Sequence, residues 1–429
     1  MAHDESEVEL QQAGAGAGQG WRGGGAEARS QYATLQTAPL HTETSYARDM
    51  ARNPFQYGSP ADAEHFTGRK RELLDMVSRM TDGINVVLIS PRRYGKTSLL
   101  LRAEEQLRRR EAAIVHVNVL FCAGAADFAA TLAGAAYHLP SGHWHRAKSA
   151  ATEFAKRLRV TPTITLDPKG SPTFGFSGGL ASPAIKPVLE DVYKVLAEEA
   201  RKRPAALVLD EFQEITSFGE HLPGVLKALS DKYSKVSLVL AGSRRHLMEQ
   251  LTGSARAPLY GMAERISLKP IDPDDMILYL ARRAKIGGKP MNEETARLIV
   301  EAAGPIPNDI QRLAYSAYQV AENRITPYDV EEGMAETIDR DSETNHKVYE
   351  KMSLGQRSVL RGLAAGTVTE PFSAAFARSV GLATGASVRR AMDVLVADEV
   401  VSKRDGRWVI NDPFFARWLL GDREIGGKH

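Results

Sequence analysis

Two short stretches, far apart in the chain, hold side chains that could act together on a phosphate group. They are SPRRYGKTSLL, from Ser90, and AALVLDEFQEI, from Ala205. In the first, Gly95, Lys96 and Thr97 follow an apolar run at residues 84–90 and open a helical pattern. A loop placed this way turns backbone N–H groups and a helix N-terminus toward an anion. Its lysine adds charge, and the hydroxyl after the lysine ligates magnesium. Arg92, Arg93, Tyr94 and Ser98 complete the phosphate-facing candidates. The usual spacing is G-x-x-x-x-G-K-[ST], and here Ser90 replaces the first glycine. That glycine serves a turn that a small residue of negative φ can also make, and Pro91 favours extended backbone at Ser90. The loop is therefore expected to hold a triphosphate. In the second stretch, four apolar residues lead to Asp210, placed to hold magnesium, and Glu211, placed to polarise an attacking water. AGSRR puts Ser243 at a further strand end, where it could orient that water; Arg244 and Arg245 follow, as solvated helix-start residues or as catalytic ones.

These groups need elements to bring them together. Apolar runs at residues 84–90, 112–119, 205–211, 236–243 and 265–271 alternate with helical patterns. Short, near-continuous apolar strands separated by helices predict an α/β fold with a parallel sheet covered on both faces. An insertion at 140–183 reads as a helix plus a hairpin around Pro168-Lys169-Gly170. Helical patterns beginning near Pro273, Asn292 and Ile306 predict a lid over 273–340, after a core over 53–272. Residues 341–429 read as a winged helix-turn-helix: three helices, then a hairpin turning at Asp405-Gly406. Along its third helix Val388, Met392 and Leu395 form an inward stripe. Residues 1–52, rich in Gly, Ala, Gln and Ser, read as a disordered tail.

The 429 residues carry 55 Lys+Arg against 53 Asp+Glu, so no global charge draws the chain to nucleic acid or membranes. Cys122 is the only cysteine, which excludes an intramolecular disulfide and suits a reducing cytoplasm. No apolar run is long enough to span a bilayer.

The motifs, in this order, resemble the AAA+/STAND superclass of P-loop ATPases, and more closely the archaeal-type ATPases with a C-terminal winged helix. The resemblance also rests on HFTGRK from His65, PLYG from Pro258, GPIPNDIQRL from Gly304 and DPFFARWL from Asp412. It implies ATP and Mg2+ as ligands and places Phe66, Gly68 and Arg69 beside the adenine. Pro307 then touches the nucleotide, and Arg312 behind it is a candidate second sensor. Relatives often carry arginine after PLYG, where this chain has Met262. If that arginine acts on a neighbour's nucleotide, this chain uses another, with Arg265 a candidate, or hydrolyses slowly without one.

Two functional classes stay open. One is an ATP-hydrolysing switch that reports to a DNA or protein partner, with nucleotide-dependent homo-oligomers as one form. The other is a DNA-binding regulator whose nucleotide is structural, contacting DNA through Arg389, Arg390, Lys403, Arg404 and Arg407. From Ser353 onward there are 11 Lys/Arg against 8 Asp/Glu, a modest excess for a nucleic-acid module. A small-molecule kinase would need an acceptor pocket for which no signature is present. His143 and His145 flank Trp144 without a completing ligand set and read as a surface loop.

Overall fold

Strands that are apolar on both sides must be covered on both sides, and that requirement organises the first part of the molecule. A computed structural model describes residues 52–139, 161–166, 172–177, 185–219 and 221–425. The core runs α1 (Lys70–Thr81), β1 (Val86–Ile89), α2 (Lys96–Arg108), β2 (Ala113–Asn118), α3 (Ala125–Tyr137), β3 (Thr161–Leu166), β4 (Pro172–Ser177), α4 (Ile185–Glu199), β5 (Ala205–Asp210), α5 (Leu222–Lys232), β6 (Val236–Gly242), α6 (Arg245–Thr252) and β7 (Glu264–Ser267). Five strands form one parallel sheet in the order β2-β5-β6-β1-β7. Every residue of β1, β5 and β6 is buried. Alternate side chains serve opposite faces: Val87, Leu207 and Leu238 pack with α3, α4, α5 and α6, while Val86, Val208 and Val239 pack with α1 and α2. This is the expected P-loop α/β sheet. The last strand is shorter than the apolar run at 265–271 suggests, because only Glu264–Ser267 pair with β1.

β3 and β4 pair antiparallel, Thr161 opposite Ser177, as a hairpin in the insertion requires; the expected turn at Pro168-Lys169-Gly170 lies outside the described residues. The helix expected beside it, His143 and His145, and the tail except Arg52 lie outside the described residues.

The lid follows as α7 (Pro273–Ile286), α8 (Glu293–Ala303) and α9 (Pro307–Val320), joined by a fourth helix, α10 (Pro327–Glu350). A Thr326/Asp329 capping box starts α10. It runs unbroken through the expected boundary at 340: Val330 and Met334 pack in the lid core, and Tyr349 in the next one. The winged helix comprises α11 (Leu354–Ala364), α12 (Ala374–Ser379), α13 (Gly385–Ala397), β8 (Val401–Arg404), β9 (Arg407–Ile410) and α14 (Pro413–Ile425). Val388, Met392 and Leu395 are buried as the stripe predicts. Asp405 and Gly406 take φ of 48° and 80°, the paired left-handed geometry of a two-residue hairpin turn. Phe414 of α14 leaves the winged helix and is fully buried in the lid core.

Candidate active site

Strand order decides the site. Because β6 lies between β1 and β5, the residues leaving the carboxyl ends of these three strands converge. Lys96 opens α2, and its Nζ reaches Asp210 Oδ1 and, at 3.0 Å, Glu211 Oε1. Thr97 Oγ1 donates to the other Asp210 oxygen at 3.0 Å. From β6, Ser243 Oγ donates to Glu211 Oε2 at 2.8 Å, and Gln213 Nε2 donates to the same atom at 2.7 Å. The Glu211 backbone N–H donates to Asp210 Oδ1. Glu211 holds φ 51°, an uncommon left-handed conformation for a residue with a side chain, and so starts the 3-10 helix Phe212–Phe218. Burial alone raises the Glu211 carboxyl, but the charge of Lys96 and the hydrogen bonds from Gln213 and Ser243 outweigh it and hold the group below its ordinary value.

Lys96, Asp210 and Glu211 place one positive charge against two negative ones in a buried cluster. An excess buried charge is costly unless a counter-ion joins it. Thr97 and Asp210 present adjacent oxygen donors, the hard set that Mg2+ takes. The oxygens of Thr97 and Asp210 therefore fit a magnesium ion.

In front of the cluster lies a cleft of about 690 Å3, within the range of small-molecule sites. Its lining includes Arg92, Arg93, Tyr94, Gly95, Lys96, Thr97, Ser98, Phe66, Arg69, Pro307, Glu211 and Ser243; Arg312 also lines it. Two expected residues sit behind the wall. Asp210 is fully buried. Gly68 has φ 66°, and a Cβ there would meet Ile271 Cγ2 at 2.1 Å, so this position needs glycine for both backbone and space. Ser90 is fully buried and keeps negative φ; the left-handed positions of the loop are Arg93, at 67°, and Gly95, at 86°. Replacement of the first glycine thus leaves the turn intact.

Several side chains are already engaged. Arg69 Nη2 donates to the Tyr94 carbonyl at 3.1 Å and pairs with Glu72. Ser98 Oγ accepts from the Ala61 N–H at 2.9 Å, tying the phosphate loop to the segment before α1. Arg265 Nη2 meets Thr252 Oγ1 at 3.3 Å. Arg312 pairs with Asp341, and its guanidinium lies 4.8 Å over the Phe414 ring.

Sequence reading missed four polar groups here. Gln213 reads as one more residue after an acidic pair. Asp309, Glu399 and Asp412 carry no role in the sequence reading, yet they face the loop arginines. Asp309 is fully buried, and burial pushes its carboxyl up to about 6, with Arg93 acting in the opposite direction. The motif strings GPIPNDIQRL and DPFFARWL contain two of these acids, and that was the available signal.

The winged-helix candidates stand elsewhere. Arg389, Arg390, Lys403 and Arg407 are exposed, with Arg389 4.2 Å over the Phe372 ring. Arg404 is half-buried and donates to Asn411 Oδ1. Among the described residues no group of His, Cys, Asp and Glu could by itself hold a metal, and no helix is long and apolar enough to cross a membrane.

Residues 343–421 match the family model of a probable winged helix domain. No curated protein matches the chain. Among solved structures, a Walker-type ATPase of Pyrococcus abyssi is similar at 16% identity and a TM-score of 0.58, covering 86% of this chain and 99% of that one. The ORC2 protein of Aeropyrum pernix, in its ADPNP–ADP complexes, is similar at 12% identity and a TM-score of 0.52, covering 88% and 99%. Strand order, phosphate loop and these likenesses agree: the chain has the fold of the AAA+ P-loop ATPases, followed by a winged helix domain.

Proposed function

We propose that the cleft binds ATP with Mg2+ and hydrolyses it slowly, and that the chain is an AAA+/STAND-type switch whose winged helix passes the nucleotide state to a DNA or protein partner. The meeting of Lys96, Thr97, Asp210, Glu211 and Ser243 carries this reading. Lys96 neutralises phosphate oxygens, and the N–H groups at the start of α2 point the same way. Thr97 and Asp210 hold magnesium, which would spread the charge of the phosphate oxygens when bound. Glu211 accepts the proton of the attacking water at a carboxylate oxygen, and Ser243 orients that water. Phe66, Gly68 and Arg69 shape the base side, and Pro307 closes the lid side.

Two features support the slow turnover in this reading. A carboxylate held below its ordinary value is a weak base, and both oxygens of Glu211 are engaged by Lys96, Ser243 and Gln213. Arg265, one candidate to replace a trans-acting arginine, is bonded to Thr252 of its own chain. The working division is a tail at 1–52, the core at 53–272, the lid at 273–340 and the winged helix at 341–429. Homo-oligomers driven by nucleotide and a cytoplasmic setting belong to the same proposal. The second reading, a DNA-binding regulator with structural nucleotide, rests on the exposed Arg389, Arg390, Lys403 and Arg407.

Calorimetry with ATP and Mg2+, together with phosphate release, tests the reading. Lys96→Ala is expected to lose both signals, and Glu211→Gln only the second. A purified chain that binds no ATP overturns it.

A further inference from the structure

The two arginines that lead the phosphate loop reach carboxylates of the lid and the winged helix. Arg92 Nε sits 3.1 Å from Glu399 Oε2, in the turn between α13 and β8. Arg93 Nη1 sits 3.4 Å from Asp309 Oδ1, in the first turn of α9, and 3.3 Å from Asp412 Oδ2, just before α14. All three carboxylates belong to one body. Phe414, two residues after Asp412, is buried in the lid core beneath the Arg312 guanidinium, and Trp418 Nε1 donates to Ser342 Oγ of α10 at 3.1 Å.

Asp309 and Asp412 share a single guanidinium, and like charges this near are tolerated only while a cation stands between them. A polyphosphate against Lys96 and the loop backbone competes for the same arginines. Guanidinium can bind phosphate bidentately, whereas Arg92 holds a single partly exposed carboxylate and Arg93 meets its two through one nitrogen at 3.3 and 3.4 Å. Once the arginines turn, three carboxylates lose their nearest counter-charge beside a polyanion. Repulsion then drives the two surfaces apart.

We propose that Arg92 and Arg93 are a phosphate-operated clasp: they hold the lid and winged helix to the loop through Asp309, Glu399 and Asp412, and pass to the polyphosphate when it binds. The proposal rests on the nucleotide reading above and adds what the nucleotide controls, the docking of the C-terminal body.

The test uses the full chain and ADPNP, a non-hydrolysable ATP analogue, with Mg2+. Spin labels go on Arg110→Cys and Glu370→Cys in a Cys122→Ser background, both label positions being exposed. The label-to-label distance is expected to lengthen or broaden with ADPNP. Asp412 also caps α14 by accepting from the Phe414 and Phe415 N–H groups, and asparagine can keep that cap. The double variant Glu399→Gln, Asp412→Asn should therefore fold, show the long-distance population without ADPNP, and bind ADPNP about tenfold tighter, since competing ion pairs are gone. Calorimetric binding with an unchanged distance distribution, or a double variant matching the parent in distance and affinity, overturns the clasp and leaves the nucleotide reading standing. No calorimetric binding at all sinks both.

Discussion

The phosphate-loop cluster and the basic face of the winged helix are built in opposite ways. Lys96, Thr97, Asp210, Glu211 and Ser243 come from three strand ends and are joined by hydrogen bonds and ion pairs in a largely buried network. Arg389, Arg390, Lys403 and Arg407 are spread over α13 and the wing and face solvent, with Arg389 spent partly on Phe372. Convergent buried charge costs stability, so its presence marks a site that must act on something. Dispersed surface charge costs almost nothing and marks little. The difference explains why the proposal names roles residue by residue in the core and only a class of partner for the winged helix.

The largest effect expected is at Glu211. Glu211→Gln should lower phosphate release by roughly 10²- to 10⁴-fold while calorimetry still shows ATP binding. Equal loss of binding and release would show the carboxylate to be structural and erase the contrast. The winged-helix side is tested with duplex DNA over a salt series. Replacing Arg389, Arg390, Lys403 and Arg407 by alanine should flatten the log–log salt slope by roughly 3 to 4 units if the face meets phosphates. A parent chain without salt-dependent DNA affinity assigns this face to a protein partner.

The next effect concerns pH. The folded carboxyl of Asp309 lies at about 6, above the ordinary 3.8, so the folded chain binds its proton more tightly. Its contribution to stability is complete below about 3.8 and is lost as pH rises through about 6. Arg93, Arg312 and Asn308 favour the charged form, while burial and Asp412 oppose it. Asp309→Asn lacks this titration. Between pH 4 and 7 the variant should therefore gain on the parent by up to about 3 kcal/mol in denaturant unfolding. A constant difference between the two would refute the assignment. The smallest effect is at Gly68. Gly68→Ala should cost about 1–3 kcal/mol through left-handed backbone and the clash with Ile271. ATP affinity should weaken with it if this turn shapes the base side.

Much of this is legible in the sequence. Apolar runs bounded by turn residues locate the strands, because strand burial is written locally. The Gly95-Lys96-Thr97 triplet and the Asp210-Glu211 pair are legible because backbone geometry and charge must coincide at adjacent positions. Ser243 followed from lying at the end of a third apolar run. Distant partners outside those motifs are not legible. Nothing near Arg93 specifies Asp412, and nothing in α10 announces that one helix serves two cores. Gln213 was missed because its amide matters only once the 3-10 turn after Glu211 folds it back.

The burial of Phe414 among lid helices has a practical corollary for dissecting this molecule. A fragment covering only the winged helix would present that ring to water, and a chain cut ahead of α14 would leave a hole in its neighbour large enough to loosen it. The C-terminal module is riveted rather than appended, so pieces made by cutting at the apparent seams should behave worse than either half of the whole.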